Sequence, residues 1–303
     1  MSKKVVPKYP IYIPSKGRYE KCLTAKFLIE DEVPFWLVVE NEEAKEYASR
    51  YGKERILILP FSNRGLIYAR NWIKQHSIDN GDVRHWQLDD NIVAVYRAYK
   101  GARLYCDSGV GLRVCEDFVD RYENVAIAGL NYTMFVLPSG TGCSDRIPPY
   151  YLNCHVYSCS LILNSIPYKW RSIYNDDTDL CLQVLAGGWC TVLINAFSAQ
   201  KKATMTIKGG NTDALYKGDG RLRMAKSLER LWPGVVETKR RFKRPQHVIK
   251  NSWRGFDTPL KIKSGIDLSK LPKVDEYGMT LARKASEIKN DRLRKIVKEY
   301  NRK

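Results

Sequence analysis

No apolar run in this chain comes near the roughly 20 residues that a membrane-spanning helix needs. The longest, Val125 to Leu130 and Met134 to Leu137, are far shorter. The stretch Met1-Ser2-Lys3-Lys4-Val5-Val6-Pro7-Lys8 is basic but lacks the apolar core of a secretory signal. These absences predict a soluble, intracellular protein with no membrane partner. None of the eight cysteines, at 22, 106, 115, 143, 154, 159, 181 and 190, has Cys-x-x-Cys spacing, which excludes the usual zinc knuckles and redox pairs. Cys154-His155 with Cys159 fits no common zinc site either, so buried free thiols are expected. Internal repeats are absent, and acidic residues are scarce in the last third.

That scarcity is informative. Residues 201–303 hold 28 Lys/Arg against 11 Asp/Glu, while residues 1–200 hold 23 against 22, so nearly all of the +18 net charge lies at one end. A polyanion is the natural partner of such a region, because contacts to phosphates release counterions. A solvated basic tail, or one that meets an acidic membrane surface, is the plainer alternative. The rest of the composition, 44% hydrophobic and 11% aromatic over 303 residues, excludes bulk disorder.

The hydrophobic pattern predicts strands at residues 9–13, 35–39, 55–59 and 85–88, separated by helices near 22–28, 41–51 and 65–76. Alternation at this rhythm indicates βαβ units and a mainly parallel sheet. Residues 92–170 read as less regular, with strands at 125–130 and 156–163 and a loop at Pro138-Ser139-Gly140-Thr141-Gly142. A helix from Asp176 to Ala186 stops at Gly187-Gly188 and leads to a last strand, Trp189 to Asn195. From about 233 the pattern loosens into Lys-rich sequence, and a final helix is predicted from about 279 to 300.

Three constellations carry chemistry. Gln87-Leu88-Asp89-Asp90-Asn91 follows a strand, where an open α/β sheet presents its ligand cleft. Oxygens grouped there suit a divalent cation that bridges a diphosphate, although an Asp-Asp-Asn turn is also common without one. Asn63-Arg64-Gly65 with Ala69-Arg70-Asn71 is either an ordinary helix start or a place where backbone and arginine approach an anion. Asn175-Asp176-Asp177-Thr178-Asp179-Leu180 begins a helix. Capping explains one or two of its acids, and repulsion among three raises at least one pKa, which suits a general base.

In order and spacing, these motifs resemble the GT-A glycosyltransferases over residues 8–200. They are Ile13-Pro14-Ser15-Lys16-Gly17-Arg18, the Asn63-x-Gly65 to Ala69-Arg70-Asn71 helix, Leu88-Asp89-Asp90-Asn91 and Asp176-Asp177-Thr178-Asp179-Leu180. Within that superfamily the chain is most similar to the phage-type TET-associated glycosyltransferases, which are thought to add sugar to hydroxymethylated DNA bases. The resemblance implies a Rossmann-like GT-A domain over residues 1–232 and a basic, partly helical extension over 233–303. It implies that Pro14, Ser15, Arg18 and Glu40 hold the nucleotide of a sugar donor, with Asn63, Gly65 and Arg70 beside the donor sugar. Asp89, Asp90 and Asn91 match the metal turn, for Mn²⁺ or Mg²⁺, and Asp177 matches the catalytic base, flanked by Asp176 and Asp179. A phage protein of this kind would work in the host cytoplasm.

Two departures stand out. Asn91 replaces the usual third acid, and a downstream His that often completes the metal shell is missing. Lys201 and Lys202 are alternative partners for the diphosphate. The expected reaction is transfer of a sugar, from a UDP-sugar in the first instance, to 5-hydroxymethylcytosine or a similar base in DNA, with inversion. Lys239, Arg240, Arg241, Lys243 and Arg244 would contact phosphates. Trp253 and Phe256 would either stack on bases or pack on the core. A non-DNA acceptor and an inactive nucleic-acid-binding module remain alternatives, with a nucleotidyltransferase more distant.

Overall fold

The computed structural model describes residues 4–99, 102–136, 147–202, 219–241 and 244–270. The short apolar runs near the start become strands β1 (Ile11–Pro14), β2 (Trp36–Val39), β3 (Ile56–Ile58) and β4 (Arg84–Leu88). Between them lie helices α1 (Leu23–Glu30), α2 (Ala44–Tyr51) and α3 (Leu66–Asp79). β1 pairs in parallel with both β2 and β4, and β3 pairs with β2. All five residues of β4 are buried, as a central strand covered on both faces requires.

The middle of the chain is more regular than its pattern suggests. It forms β5 (Ile92–Tyr99), β6 (Ala102–Cys106), α4 (Ser108–Val119), β7 (Val125–Tyr132), β8 (Tyr150–Leu152) and β9 (Cys159–Leu163). Helix α5 (Asp176–Ala186) matches its predicted bounds, and β10 (Cys190–Lys201) continues past the expected end at Asn195. The predicted loop at 138–142 and the final helix at 279–300 lie outside the described residues.

Among the described residues these strands form one sheet in the order β3-β2-β1-β4-β9-β7-β10-β5-β6, with β8 paired to β10. β9 runs antiparallel to both β4 and β7, and β7 is parallel to β10, so β1, β2, β3, β4, β7 and β10 share one direction. The amino end of β9 therefore meets the carboxyl end of β4, with Cys159 opposite Leu88. On the other side of β9, Gly129 of β7 permits the close β7–β9 pairing: a Cβ there would stand 2.0 Å from the Cys159 carbonyl oxygen.

The chain beyond the sheet packs onto it. Helix α6 (Gly220–Leu231) and the antiparallel hairpin β11 (Val236–Arg241) and β12 (Arg244–Ile249) share a small core of Leu182, Leu228 and Val236. Trp253 and Phe256 pack against the cluster around Ile127, Val156 and Leu180, which favours the packing reading over stacking on bases. The segment that follows is tied down through Asn124, whose Nδ2 donates to the Pro259 carbonyl at 2.9 Å and whose Oδ1 accepts from Lys261 N at 2.8 Å.

Candidate active site

The carboxyl ends of β1, β2 and β4 open on one side of the sheet, and the residues just beyond them converge there. Pro14 ends β1, and Ser15 Oγ donates to Asp90 Oδ2 at 2.8 Å while sharing a hydrogen bond with the Tyr47 hydroxyl at 2.7 Å. Arg18 Nη1 reaches the other Asp90 oxygen at 2.5 Å. Burial pushes the Asp90 carboxyl pKa up, against the opposing pull of Arg18 and Ser15. After β2, Glu40 accepts the Asn63 N–H at 3.0 Å and pairs with Lys16 at 2.6 Å, and Lys16 also donates to Asn63 Oδ1. This places the Pro14–Arg18 loop beside the turn before α3. In that turn Asn63 and Gly65 both have positive φ, 56° and 90°, conformations that Asn tolerates and Gly adopts freely. A Cβ on Gly65 would meet nothing, so its requirement is conformational.

Arg70, on α3, is the centre of the second group. It is buried, and its guanidinium reaches Gln87 Oε1 at 3.2 Å, Asp89 Oδ1 at 3.0 Å and Asp176 Oδ2 at 2.9 Å. A buried relay steadies it from behind. Gln87 Nε2 donates to the Arg70 carbonyl and to His85 Nε2, while His85 Nδ1 faces Asn164 Oδ1 at 2.6 Å. These partners require a neutral imidazole with its proton on Nδ1. Burial agrees, holding the His85 pKa down at about 3.

Asp89 lies between two cations. Its Oδ2 accepts from Lys201 Nζ at 2.7 Å, opposite the Arg70 contact on Oδ1. Burial alone would raise its pKa, but Lys201 and Arg70 bring it down to about 2. Lys201 follows a register shift between β10 and β5, where Gln200 stands opposite Ala94 and Lys201 opposite Ile92. It also donates to Ser158 Oγ at 2.5 Å, and Ser158 in turn pairs with the Tyr132 hydroxyl at 2.6 Å.

The first turn of α5 separates its three acids. Asn175, held at φ 51°, precedes the helix and turns Asp176 down onto Arg70. Burial, with the charges of Asp177 and Asp89, outweighs Arg70 and raises the Asp176 pKa to about 6. Asp177 is the more open acid, its side chain 34% exposed, with Oδ2 at 3.2 Å from His155 Nε2 and Oδ1 accepting the Thr178 N–H at 2.7 Å. Burial works against its ionisation, but His155 and the Thr178 N–H hold its pKa well below the usual range. Asp179 departs from the expected site: it is fully buried and bound by Arg171, Gln183 Nε2 at 2.9 Å and Trp232 Nε1 at 2.7 Å. Its surroundings tie α5 to the segment after α6 and keep it apart from the opening.

Two acid clusters, one around Asp89 and one around Asp176, thus share Arg70 beside the Pro14–Arg18 loop. Residues 9–210 match the family described as TET-Associated Glycosyltransferase. The chain belongs to that family. Its fold is a mainly parallel α/β sheet flanked by helices. No curated protein matches the sequence. Among solved structures, GalNAc-T7 with UDP, GalNAc and Mn²⁺ aligns at 10% identity and TM-score 0.43, over 66% of this chain and 44% of that one. A mannose-1-phosphate geranyltransferase from Thermus thermophilus aligns at 14% identity and TM-score 0.29, over 62% and 57%. This chain thus spans less than two thirds of either.

In this TET-associated glycosyltransferase the metal turn does not carry a metal donor set. Both oxygens of Asp89 are engaged by Arg70 and Lys201, and Asn91 offers one neutral, buried, unpartnered Oδ1. Among the described residues no three His, Cys, Asp or Glu side chains converge as ligands. A hard divalent cation needs several oxygens free to turn toward it, so Asp89 and Asn91 do not fit the role their sequence position implies. The basic residues Lys239, Arg240, Arg241 and Arg244 are exposed on the β11–β12 hairpin, and Lys243 lies outside the described residues.

Sequence reasoning missed His155, Tyr132 and Ser158. His155 lies in a loop 22 residues before Asp177, and its spacing to any acid carries no recognisable pattern. Tyr132 and Ser158 are brought in by strand pairing alone.

Proposed function

We propose that this enzyme transfers a sugar from a nucleotide-diphosphate donor, a UDP-sugar in the first instance, to the hydroxymethyl group of a pyrimidine in DNA. The grouping of Ser15, Arg18 and Asp90 after β1 and β4 next to Arg70, Asp89 and the first turn of α5 carries this reading. Family membership supports a glycosyl transfer, and the family's TET-associated description supports an acceptor in DNA. The nucleotide binds along Pro14–Arg18, near Glu40 and Asn63, and the donor sugar lies toward Arg70 and Asp176. Asp177 accepts the proton of the attacking hydroxyl, because it is the more open carboxylate and His155 fixes its orientation. Attack on the anomeric carbon from the face opposite the diphosphate inverts its configuration.

The DNA base is flipped out of the duplex to reach the cleft. Residues 1–232 act as the catalytic unit, and residues 233–303 hold the backbone through Lys239, Arg240, Arg241, Lys243 and Arg244. The electrostatics of His247, on β12, are in keeping with this arrangement: burial lowers its pKa first, with a smaller lowering from His155 and an opposing influence of Asp177.

The donor half of this reading is tested with a panel of UDP-, GDP- and ADP-sugars, following slow hydrolysis of the sugar–phosphate bond. Wild-type protein should hydrolyse one donor, and Arg70→Ala should not. Hydrolysis of none, under conditions where the protein is folded, contradicts a donor site in this cleft.

A further inference from the structure

The ammonium group of Lys201 lies against Asp89, in the turn to which the sequence resemblance assigns a metal. We infer that Lys201, paired to Asp89, takes the part of a divalent cation in this enzyme and that donor binding and transfer need no metal; this rests on the nucleotide-sugar reading above.

Four observations carry it. Lys201 Nζ is 2.7 Å from Asp89 Oδ2, and Arg70 takes the other oxygen at 3.0 Å. A metal ion on that carboxylate would lie within about 2.5 Å of an oxygen that already holds a cation, so like charge and the loss of these hydrogen bonds oppose it. The lysine is positioned rather than loose: Ser158 Oγ accepts from it at 2.5 Å, and the Tyr132 ring lies 5.7 Å from its Nζ. Its side chain is 15% exposed, and of its three acceptors the Tyr132 hydroxyl, at 3.5 Å, is the most distant and the one a phosphate oxygen would displace. Finally, the neighbouring acids are already engaged, Asp176 by Arg70 and Asp177 by His155.

In the transfer, the bond between the anomeric carbon and the β-phosphate oxygen breaks and its electron pair stays on the diphosphate. The acceptor oxygen bonds to the anomeric carbon, and its proton passes to Asp177. Lys201 donates hydrogen bonds to the departing diphosphate and offsets its growing charge, as a metal does elsewhere. It is not consumed.

Calorimetric titration with UDP, GDP, ADP and CDP, in EDTA and again in Mn²⁺ or Mg²⁺, tests this on the whole chain. The expected result is binding of one diphosphate with affinity in EDTA within about twofold of that in metal, since a resident ammonium is always present. Lys201→Ala should weaken binding by about tenfold or more, and Lys201→Arg should retain most of it. Loss of binding in EDTA, restored by metal, overturns the inference and leaves the donor site standing. Unchanged affinity in a folded Lys201→Ala also overturns it. Should that variant fail to fold, the wild-type comparison decides alone. Binding of no diphosphate under either condition removes the donor reading and this inference together.

Discussion

Arg70 joins Asp89 to Asp176, and the two acids respond in opposite directions. Asp176 has its pKa raised from 3.8 to about 6, so its ionisation costs folding stability: the contribution is greatest below pH 3.8 and is lost as pH rises through about 6. Asp89, lowered to about 2, contributes stability above pH 3.8 that is lost as pH falls toward 2. Urea unfolding of Asp176→Asn between pH 4 and pH 7 should therefore show a shallower downward slope than the wild type, in which Asp90 and Glu116 also take part; parallel curves would contradict the burial of that carboxylate against Arg70. Asp179 calls for a different test. Removing its carboxylate leaves the Trp232 N–H and the Gln183 amide without an acceptor while Arg171 stays solvated, so Asp179→Ala should cost about 1–3 kcal/mol in urea unfolding. A loss of activity with full stability would return it to the catalytic group. The candidate acids at 89, 90, 176 and 177 were legible because each falls at the end of a strong element. His155 was not, because only tertiary packing brings it to Asp177.

The strands and helices up to β4 were legible because their apolar runs are clean and their turns carry Pro, Gly and Asn. The segment after Asn91 was harder. Helix α4 holds Gly109 and Gly111, poor helix formers on propensity alone. The structure explains Gly111: a Cβ there would meet Val95 at 2.6 Å, so close packing on β5 has overridden propensity. β10 outlasted its apolar run because Phe197 to Gln200 pair with β5 on a mixed edge. Gly129 is the sharper case, since any side chain strikes the Cys159 backbone. Gly129→Ala should lower stability by about 1–3 kcal/mol or more and loosen β9 from β7. Thermal unfolding measures this, and a neutral substitution would mean that the two strands sit farther apart than described.

The whole molecule is polarised. A nearly neutral catalytic layer carries a strongly basic end, and the described part of that end packs onto the sheet through Leu228, Val236, Trp253 and Phe256. Its composition was plain from the sequence; its hairpin was not, because β11 and β12 are too charged to show an apolar alternation. Changing Lys239, Arg240, Arg241 and Arg244 to Ala together should weaken DNA binding and reduce the salt slope by up to about 0.9 for each phosphate no longer neutralised. An unchanged slope would place DNA elsewhere. The most direct test of the account is mass spectrometry of DNA containing 5-hydroxymethylcytosine or 5-hydroxymethyluracil, after incubation with a panel of nucleotide-sugars. The account predicts a sugar-sized mass gain on the modified base with wild-type protein, lowered by about a hundredfold or more in Asp177→Asn. A mass gain that persists in Asp177→Asn, or donor hydrolysis with the DNA unaltered, would contradict it.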